Sequence, residues 1–144
     1  MIITLYREQA DLRGTQYVEL QPGRHRGQHW LRGSVFLMDS VWGLIHAPLE
    51  RRVASYSFFG VTEVGADLWS GILEDWGALR AAIITADRIG DVSGHFELPY
   101  ATLEAEFNED FGENARVLAD VVRELAQWVQ DVLTEEDVIT VAGL

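Results

Sequence analysis

"ENARVLADVVRELAQWVQDVL", residues 113–133, carries the clearest structural signal in this chain of 144 residues. Its apolar side chains recur at spacings of one, three and four and define one broad face: Leu118, Val121, Val122, Leu125, Trp128, Val129 and Val132. This pattern predicts an amphipathic helix over residues 113–133. Asn114 is a candidate N-cap, because its side-chain oxygen can accept a hydrogen bond from a backbone N–H of the first turn.

A second helix is predicted over residues 66–85. Its apolar stripe also has helical spacing: Leu68, Ile72, Trp76, Leu79 and Ile83. Gly71 and Gly77 weaken this prediction, since each glycine costs a helix interior about 1 kcal/mol relative to alanine.

Four segments have the alternating or β-branched composition of strands. They are "IITLYR" (2–7), "TQYVELQ" (15–21), "ASYSFFGVTEV" (54–64) and "VITVAGL" (138–144). We expect the first two to pair as antiparallel neighbours.

Residues 34–46, "SVFLMDSVWGLIH", fit both a helix and a strand. The composition favours a strand. The apolar residues recur at spacings of three, four and three: Val35, Met38, Trp42 and Ile45. This spacing favours a helix, which is the prediction adopted here.

The order of these elements predicts a single α+β domain over residues 1–144. Strands and helices do not alternate, which favours a mostly antiparallel sheet with two or three helices packed on one side. The length suits one domain, and an apolar fraction of 48% is sufficient for a core.

Composition excludes several classes of function. The chain has no cysteine, so disulfides, cysteine-ligated zinc and thiol catalysis are excluded. It has no lysine, and neither GxGxxG nor GxSxG occurs, so the common nucleotide-binding loops and the serine-hydrolase elbow are absent. Without a basic, apolar leader or a long apolar run, the sequence predicts a cytoplasmic protein with no membrane contact. Its motifs predict no catalytic residue, metal or cofactor, which argues against an enzyme without excluding one.

Charge divides the chain into two unequal halves. The net charge is −12; residues 1–60 hold seven Arg and five acidic residues, whereas residues 61–144 hold four Arg and eighteen acidic residues. An acidic field repels nucleic acid and attracts basic partners. Acidity can also serve solubility alone.

Histidine and arginine are concentrated in one turn, "PGRHRGQHWLRG", residues 22–33. Arg24, Arg26, Arg32 and Trp30 could hold a phosphate, stack on a base, form an intramolecular partner for the acidic half, or only face solvent. Arg51 and Arg52 could extend this basic group. His25 and His29 are four apart, but Gly27 between them argues against the helix that a shared metal would need. A separate stretch, "DVSGH" (91–95), contains the residue types of a catalytic triad, and adjacency in sequence rarely gives triad geometry.

"HFELPYATLEAEFNEDFGEN", residues 95–114, carries six acidic residues and neither Arg nor Lys. A calcium loop with Gly112 at its sixth position would need oxygen ligands at Phe107 and Leu118, so that site is excluded. No Glu-x-x-His pair supports a carboxylate-bridged metal centre.

A helical interpretation of this stretch remains. Its apolar residues are spaced three, four and four apart: Tyr100, Leu103, Phe107 and Phe111. On that helix Glu106, Glu109, Asp110 and Glu113 would share another face, and like charges at such spacings repel. A cationic partner would relieve this repulsion, and a merely solvated acidic face is the alternative.

A small, cysteine-free, strongly acidic α+β domain without catalytic motifs resembles the bacterial immunity proteins that neutralise polymorphic or contact-dependent toxins. The resemblance implies a binding protein that covers the cationic active site of a toxin domain. We therefore predict partner-binding residues on the acidic segments: Glu74, Asp75, Glu104, Glu106, Glu109, Asp110 and Glu113.

Two alternatives stay open. One is a small ligand-binding or enzymatic α+β domain, with a pocket between sheet and helices lined by His25, His29 or His95. The other is a subunit of an assembly, because the sequence does not fix an oligomeric state.

Overall fold

The computed structural model describes residues 1–92 and 101–143, and in this part of the chain four strands form one antiparallel sheet. The strands are β1 (Tyr17–Pro22), β2 (Val35–Met38), β3 (Val61–Gly65) and β4 (Val138–Gly143). Their order in the sheet is β2-β1-β4-β3, so the last strand of the sequence occupies an inner position.

Five α-helices occur in the described residues, which confirms the α+β class and corrects the expected number of two or three. They are α1 (Asp39–Ile45), α2 (Ala47–Arg52), α3 (Ala66–Ile83), α4 (Ala101–Glu109) and α5 (Phe111–Val132). Short 3-10 turns lie at Gln9–Asp11 and Ile89–Val92. The predicted helices over 66–85 and 113–133 correspond to α3 and α5, and the predicted last strand corresponds to β4.

One face of the sheet forms the apolar core with the helices. Its strand residues lie in matching register and are all buried: Val18, Leu20, Val35, Leu37, Val64, Ile139 and Val141. They join the apolar stripes of α3 and α5 in one cluster. The opposite face of β1 and β4 carries the polar residues Glu19, Gln21 and Thr140, which are also buried. A polar face can be buried only if something satisfies its hydrogen bonds.

Three tryptophans from two helices meet at the centre of the core. Trp42, Trp69 and Trp76 are fully buried, and the Trp76 ring lies 6.4 Å from that of Trp42 and 5.9 Å from that of Trp69. Each indole N–H has an acceptor: Trp76 Nε1 donates to the Ile45 carbonyl at 2.8 Å, Trp42 Nε1 to the Tyr56 hydroxyl at 2.8 Å, and Trp69 Nε1 to the Val64 carbonyl at 3.1 Å. Burial raises the pKa of that tyrosine hydroxyl. The cluster joins α1 to α3.

The predicted first strand does not form. Residues 2–7 pair with the sheet at a single bridge, in which Tyr6 and Phe36 exchange backbone hydrogen bonds of 2.9 and 2.8 Å. The expected pairing with residues 15–21 is impossible, because β1 already has β2 on one side and β4 on the other.

Residues 34–46 contain both of the structures that their sequence fits. Residues 35–38 form β2, and α1 begins at Asp39, so the predicted helix is wrong for the first part and right for the second. Residues 54–64 also differ from prediction, because only β3 at their end is extended and residues 54–60 form turns.

Candidate functional site

The acidic stretch is not one continuous helix. α4 ends at Glu109 and α5 begins at Phe111, with Asp110 between them at φ −137° and ψ 59°. Asn114 lies buried in the first turn of α5 and is not its N-cap; its amide Nδ2 donates to the Phe107 carbonyl at 3.0 Å. This bond fixes the end of α4 against the start of α5, so the prediction of one helical face through residue 113 is wrong. Tyr100, the first residue of the predicted stripe, lies outside the described residues.

The carboxylates of α4 and its junction with α5 are exposed. Within residues 1–92 and 101–143, none of these four has an ion-pair partner: Glu104, Glu106, Glu109 and Asp110. We call this set the α4 acidic surface. Glu113 differs, because its Oε1 lies 2.7 Å from Arg116 Nη2. The apolar side of the same segment is held by Phe107, which is fully buried and packs 5.6 Å from the ring of Phe111.

A groove lies between the end of α3 and the start of α5, next to the junction at Asp110. It has a volume of about 350 Å³, and apolar side chains such as Ile84 and Phe111 line it together with Arg80, Arg116 and Asp120. Ile84 is 66% exposed, which is unusual for a large aliphatic side chain. The junction of α4 and α5 therefore joins the α4 acidic surface to a groove with both apolar and charged walls.

The second predicted acidic pair, on α3, has a different environment. Asp75 accepts hydrogen bonds from Arg52 Nε at 2.8 Å and Arg52 Nη2 at 3.1 Å, and Arg51 Nη2 lies 3.5 Å away. The hydrogen bonds from Arg52 lower the pKa of Asp75, and the same pairing raises the pKa of Arg52. Glu74 is exposed. Arg51 and Arg52 thus act as intramolecular partners for the acidic half, one of the roles considered from sequence.

The ion pair at Asp75 predicts a specific dependence of stability on pH. Because folding lowers the pKa of Asp75, its contribution is complete above the ordinary value of 3.8 and is lost as the pH falls through the folded value. We expect Asp75→Asn to destabilise the protein more at pH 7 than at pH 2, as measured by urea unfolding at both. An equal loss at the two pH values would contradict this role of the charge.

The basic turn folds over the polar face of the sheet. Glu19 is fully buried beneath it; Glu19 Oε1 accepts from Trp30 N and Oε2 from Leu31 N, both at 2.8 Å. At the other end of the turn, His25 N donates to Glu63 Oε2 at 2.9 Å and Arg24 Nη1 lies 3.5 Å from Glu63 Oε1. Two glutamates therefore hold residues 23–33 in place.

The histidines of this turn do not form a metal site with other ligands in the described residues. The rings of His25 and His29 are 5.9 Å apart, and His29 Nδ1 lies 3.9 Å from Glu19 Oε1. No group of three potential ligands is assembled in residues 1–92 and 101–143. Of the "DVSGH" stretch, Asp91 pairs with Arg88, whereas Ser93 and His95 lie outside the described residues.

A cleft of about 700 Å³ opens at the outer edge of β2. Trp30, Arg32 and Ser34 line it from the end of the turn, Arg7 from the N-terminal segment, and Trp128 from the far end of α5. Trp30 has φ 63°, in the left-handed region, and is the one non-glycine residue of the described chain with positive φ. The turn sequence had indicated Arg32 and Trp30 as possible phosphate-binding and stacking residues, whereas Arg7 and Trp128 were not predicted because they come from distant segments.

Comparisons with protein-family models, curated proteins and solved structures gave no match to this chain. Among the described helices, none is both long enough and apolar enough to cross a bilayer. The function therefore has to be inferred from the side chains of the surfaces described above.

Proposed function

We propose that this protein neutralises a basic protein partner by binding it through the α4 acidic surface, as an immunity protein covers a toxin domain. The observation that supports this proposal is the contrast in ion pairing. Asp75, Asp91, Glu63 and Glu113 each have an arginine within 3.5 Å. The α4 acidic surface instead presents four carboxylates within seven residues, with no arginine paired to them in the described chain.

Repulsion among the unpaired carboxylates of the α4 acidic surface favours binding to a cationic partner. Like-charged neighbours on a helix cost about 0.2–0.5 kcal/mol per pair, and a cationic surface would remove that cost. Complementary charge also raises the rate of association and disfavours wrong partners. The resulting complex would dissociate more readily as salt concentration rises.

The groove between α3 and α5 offers the partner an apolar contact in addition to the charges of the α4 acidic surface. Interfaces depend on a few side chains that are buried in pockets, surrounded by a polar rim. The groove at Ile84 and Phe111 can receive one apolar side chain of the partner while the α4 acidic surface binds its basic residues. Glu113 contributes less in this arrangement, since Arg116 already neutralises it, and Asp75 contributes least for the same reason.

The test is charge reversal on the α4 acidic surface. We expect Glu106→Arg with Asp110→Arg to weaken binding to the basic partner, isolated from native lysate with the unmodified protein, by at least about tenfold. Affinity is measured by titration calorimetry at two salt concentrations, and circular dichroism checks that the fold survives.

A matched control separates the surface from net charge. Glu124→Arg with Glu135→Arg changes the charge by the same amount at exposed positions outside α4. We expect this control to retain most of the affinity. Equal weakening in both double variants, or none in either, would exclude the α4 acidic surface as the binding site.

A further inference from the structure

We propose that the cleft at the outer edge of β2 binds a small planar phosphate, a compound with an aromatic ring system and a phosphate group. The site is separate from the α4 acidic surface and does not depend on the function proposed above. Its residues combine two unpaired guanidinium groups, two indole rings and one buried hydroxyl without a partner. The guanidinium groups favour the phosphate, and the indole rings favour the aromatic ring system.

Arg7 and Arg32 would bind the phosphate group of the ligand. Arg7 and Arg32 are exposed and have no ion-pair partner in residues 1–92 and 101–143, although Arg24, the arginine that begins the same turn, is paired with Glu63. Planar guanidinium groups bind phosphate oxygens with two parallel hydrogen bonds. Glu8 also lines the cleft, which leaves one net positive charge among its side chains.

The α4 acidic surface does not prevent this binding. Glu113 and Trp128 are fifteen residues apart on α5, which corresponds to about 22 Å along the helix axis. That separation exceeds the Debye length of about 8 Å at physiological salt, so this surface is screened from the cleft. Glu124 and Asp131 lie about one turn from Trp128, but both are exposed to solvent, which weakens their field.

The aromatic ring system of the ligand would stack on the Trp30 indole. The Trp30 indole is half-buried and stacks on Phe36, with ring centroids 5.8 Å apart and an interplanar angle of 23°. Its backbone conformation is strained, because φ 63° is disfavoured for a bulky side chain, and Glu19 fixes it by accepting the Trp30 N–H. A strained residue that is held by a buried carboxylate and lines a cleft is typical of a preorganised binding site.

Ser34 is a further polar residue of the cleft, and its hydroxyl, like that of Thr62 in β3, has no partner in the described residues. Ser34 is 1% exposed. Buried hydroxyl groups in folded proteins usually have a partner. Because protein atoms cover the Ser34 Oγ in the structure, a phosphate oxygen or a ring nitrogen in the cleft would reach it only after the Ser34 side chain turns toward the cleft. The volume of about 700 Å³ also lies within the usual range for small-molecule sites.

The experiment uses adenosine monophosphate as the probe, with adenosine and ribose 5-phosphate as the two halves of the ligand. We expect saturable binding of the monophosphate by titration calorimetry, with shifts of the Trp30 and Trp128 indole N–H signals in NMR spectra. Each half should bind at least about tenfold more weakly than the whole. Absence of saturable binding, or equal binding of either half, would overturn the proposal.

Three variants assign the roles. Arg7→Ala with Arg32→Ala should weaken binding by at least about tenfold, whereas Arg26→Ala, an exposed arginine outside the cleft, should not. Ser34→Ala should weaken binding severalfold without lowering stability, since the hydroxyl makes no bond in the free protein. Trp30→Gly removes the ring while suiting the backbone angle, and circular dichroism checks that this variant is folded before a loss of binding is assigned to the ring. Unchanged affinity in the arginine double variant would exclude the cleft.

Discussion

Glu19→Ala is expected to lower the free energy of unfolding by about 2–5 kcal/mol. The substitution leaves the N–H groups of Trp30 and Leu31 without their acceptor, and each unsatisfied buried donor costs about 1–3 kcal/mol. It also removes an acceptor for Gln21 Nε2, which lies 3.1 Å from Glu19 Oε1. Guanidinium unfolding followed by circular dichroism measures the loss.

Glu19→Gln is the matched control for this prediction. The amide has nearly the same volume and keeps one acceptor oxygen, so it should cost about 1–2 kcal/mol and fall between the unmodified protein and Glu19→Ala. The same order should hold for binding in the cleft, because Glu19 fixes the backbone of Trp30. If Glu19→Ala unfolds within about 0.5 kcal/mol of the unmodified protein, the carboxylate does not hold the turn.

Trp76→Ala is expected to cost about 3–5 kcal/mol, the usual effect of removing a large buried aromatic side chain. Trp76 is fully buried, contacts both other tryptophans of the core, and donates to the Ile45 carbonyl that ends α1. Its loss leaves a cavity and an unpaired carbonyl at the junction of α1 and α3. Thermal unfolding and guanidinium unfolding both measure this loss of stability.

Two further variants test the cause of that loss. Trp76→Phe keeps an aromatic ring but removes the donor, and should cost less than Trp76→Ala. Ile84→Ala lies at the end of the same helix but in solvent, and should change stability by no more than about 0.5 kcal/mol. Comparable losses for Trp76→Ala and Ile84→Ala would mean that the tryptophan cluster is not central to stability.

The two proposed sites lie near opposite ends of α5. Its first turn adjoins the α4 acidic surface, and Trp128 near its last turn lines the cleft at β2. The arginines that make the first half of the sequence the more basic one have two roles in the structure. Arginine of the first half serves partly to neutralise acidic residues of the second, as at Arg52 and Asp75, and partly to line the cleft.

Long periodic segments were the part of the fold that could be predicted. The apolar stripe of residues 113–133 repeats over several turns, and its match to a helix is therefore unambiguous. Residues 34–46 are shorter, and the change from β2 to α1 occurs within a pattern that suits both. Residues 2–7 have strand composition, but their pairing depended on which edges of β1 were already occupied.

The sequence by itself determined the α+β class, the helices α3 and α5, the strand β4, the absence of cysteine and the concentration of negative charge. These properties depend on composition and on residues close together in the chain. Only the tertiary structure decided which charges are paired, that Glu19 is buried, and that Trp30 and Ser34 line a cleft. The reason is the separation of the groups that meet: Arg52 and Asp75 are 23 residues apart, and the Thr140 hydroxyl donates to a carbonyl 117 residues away. No local pattern records such contacts.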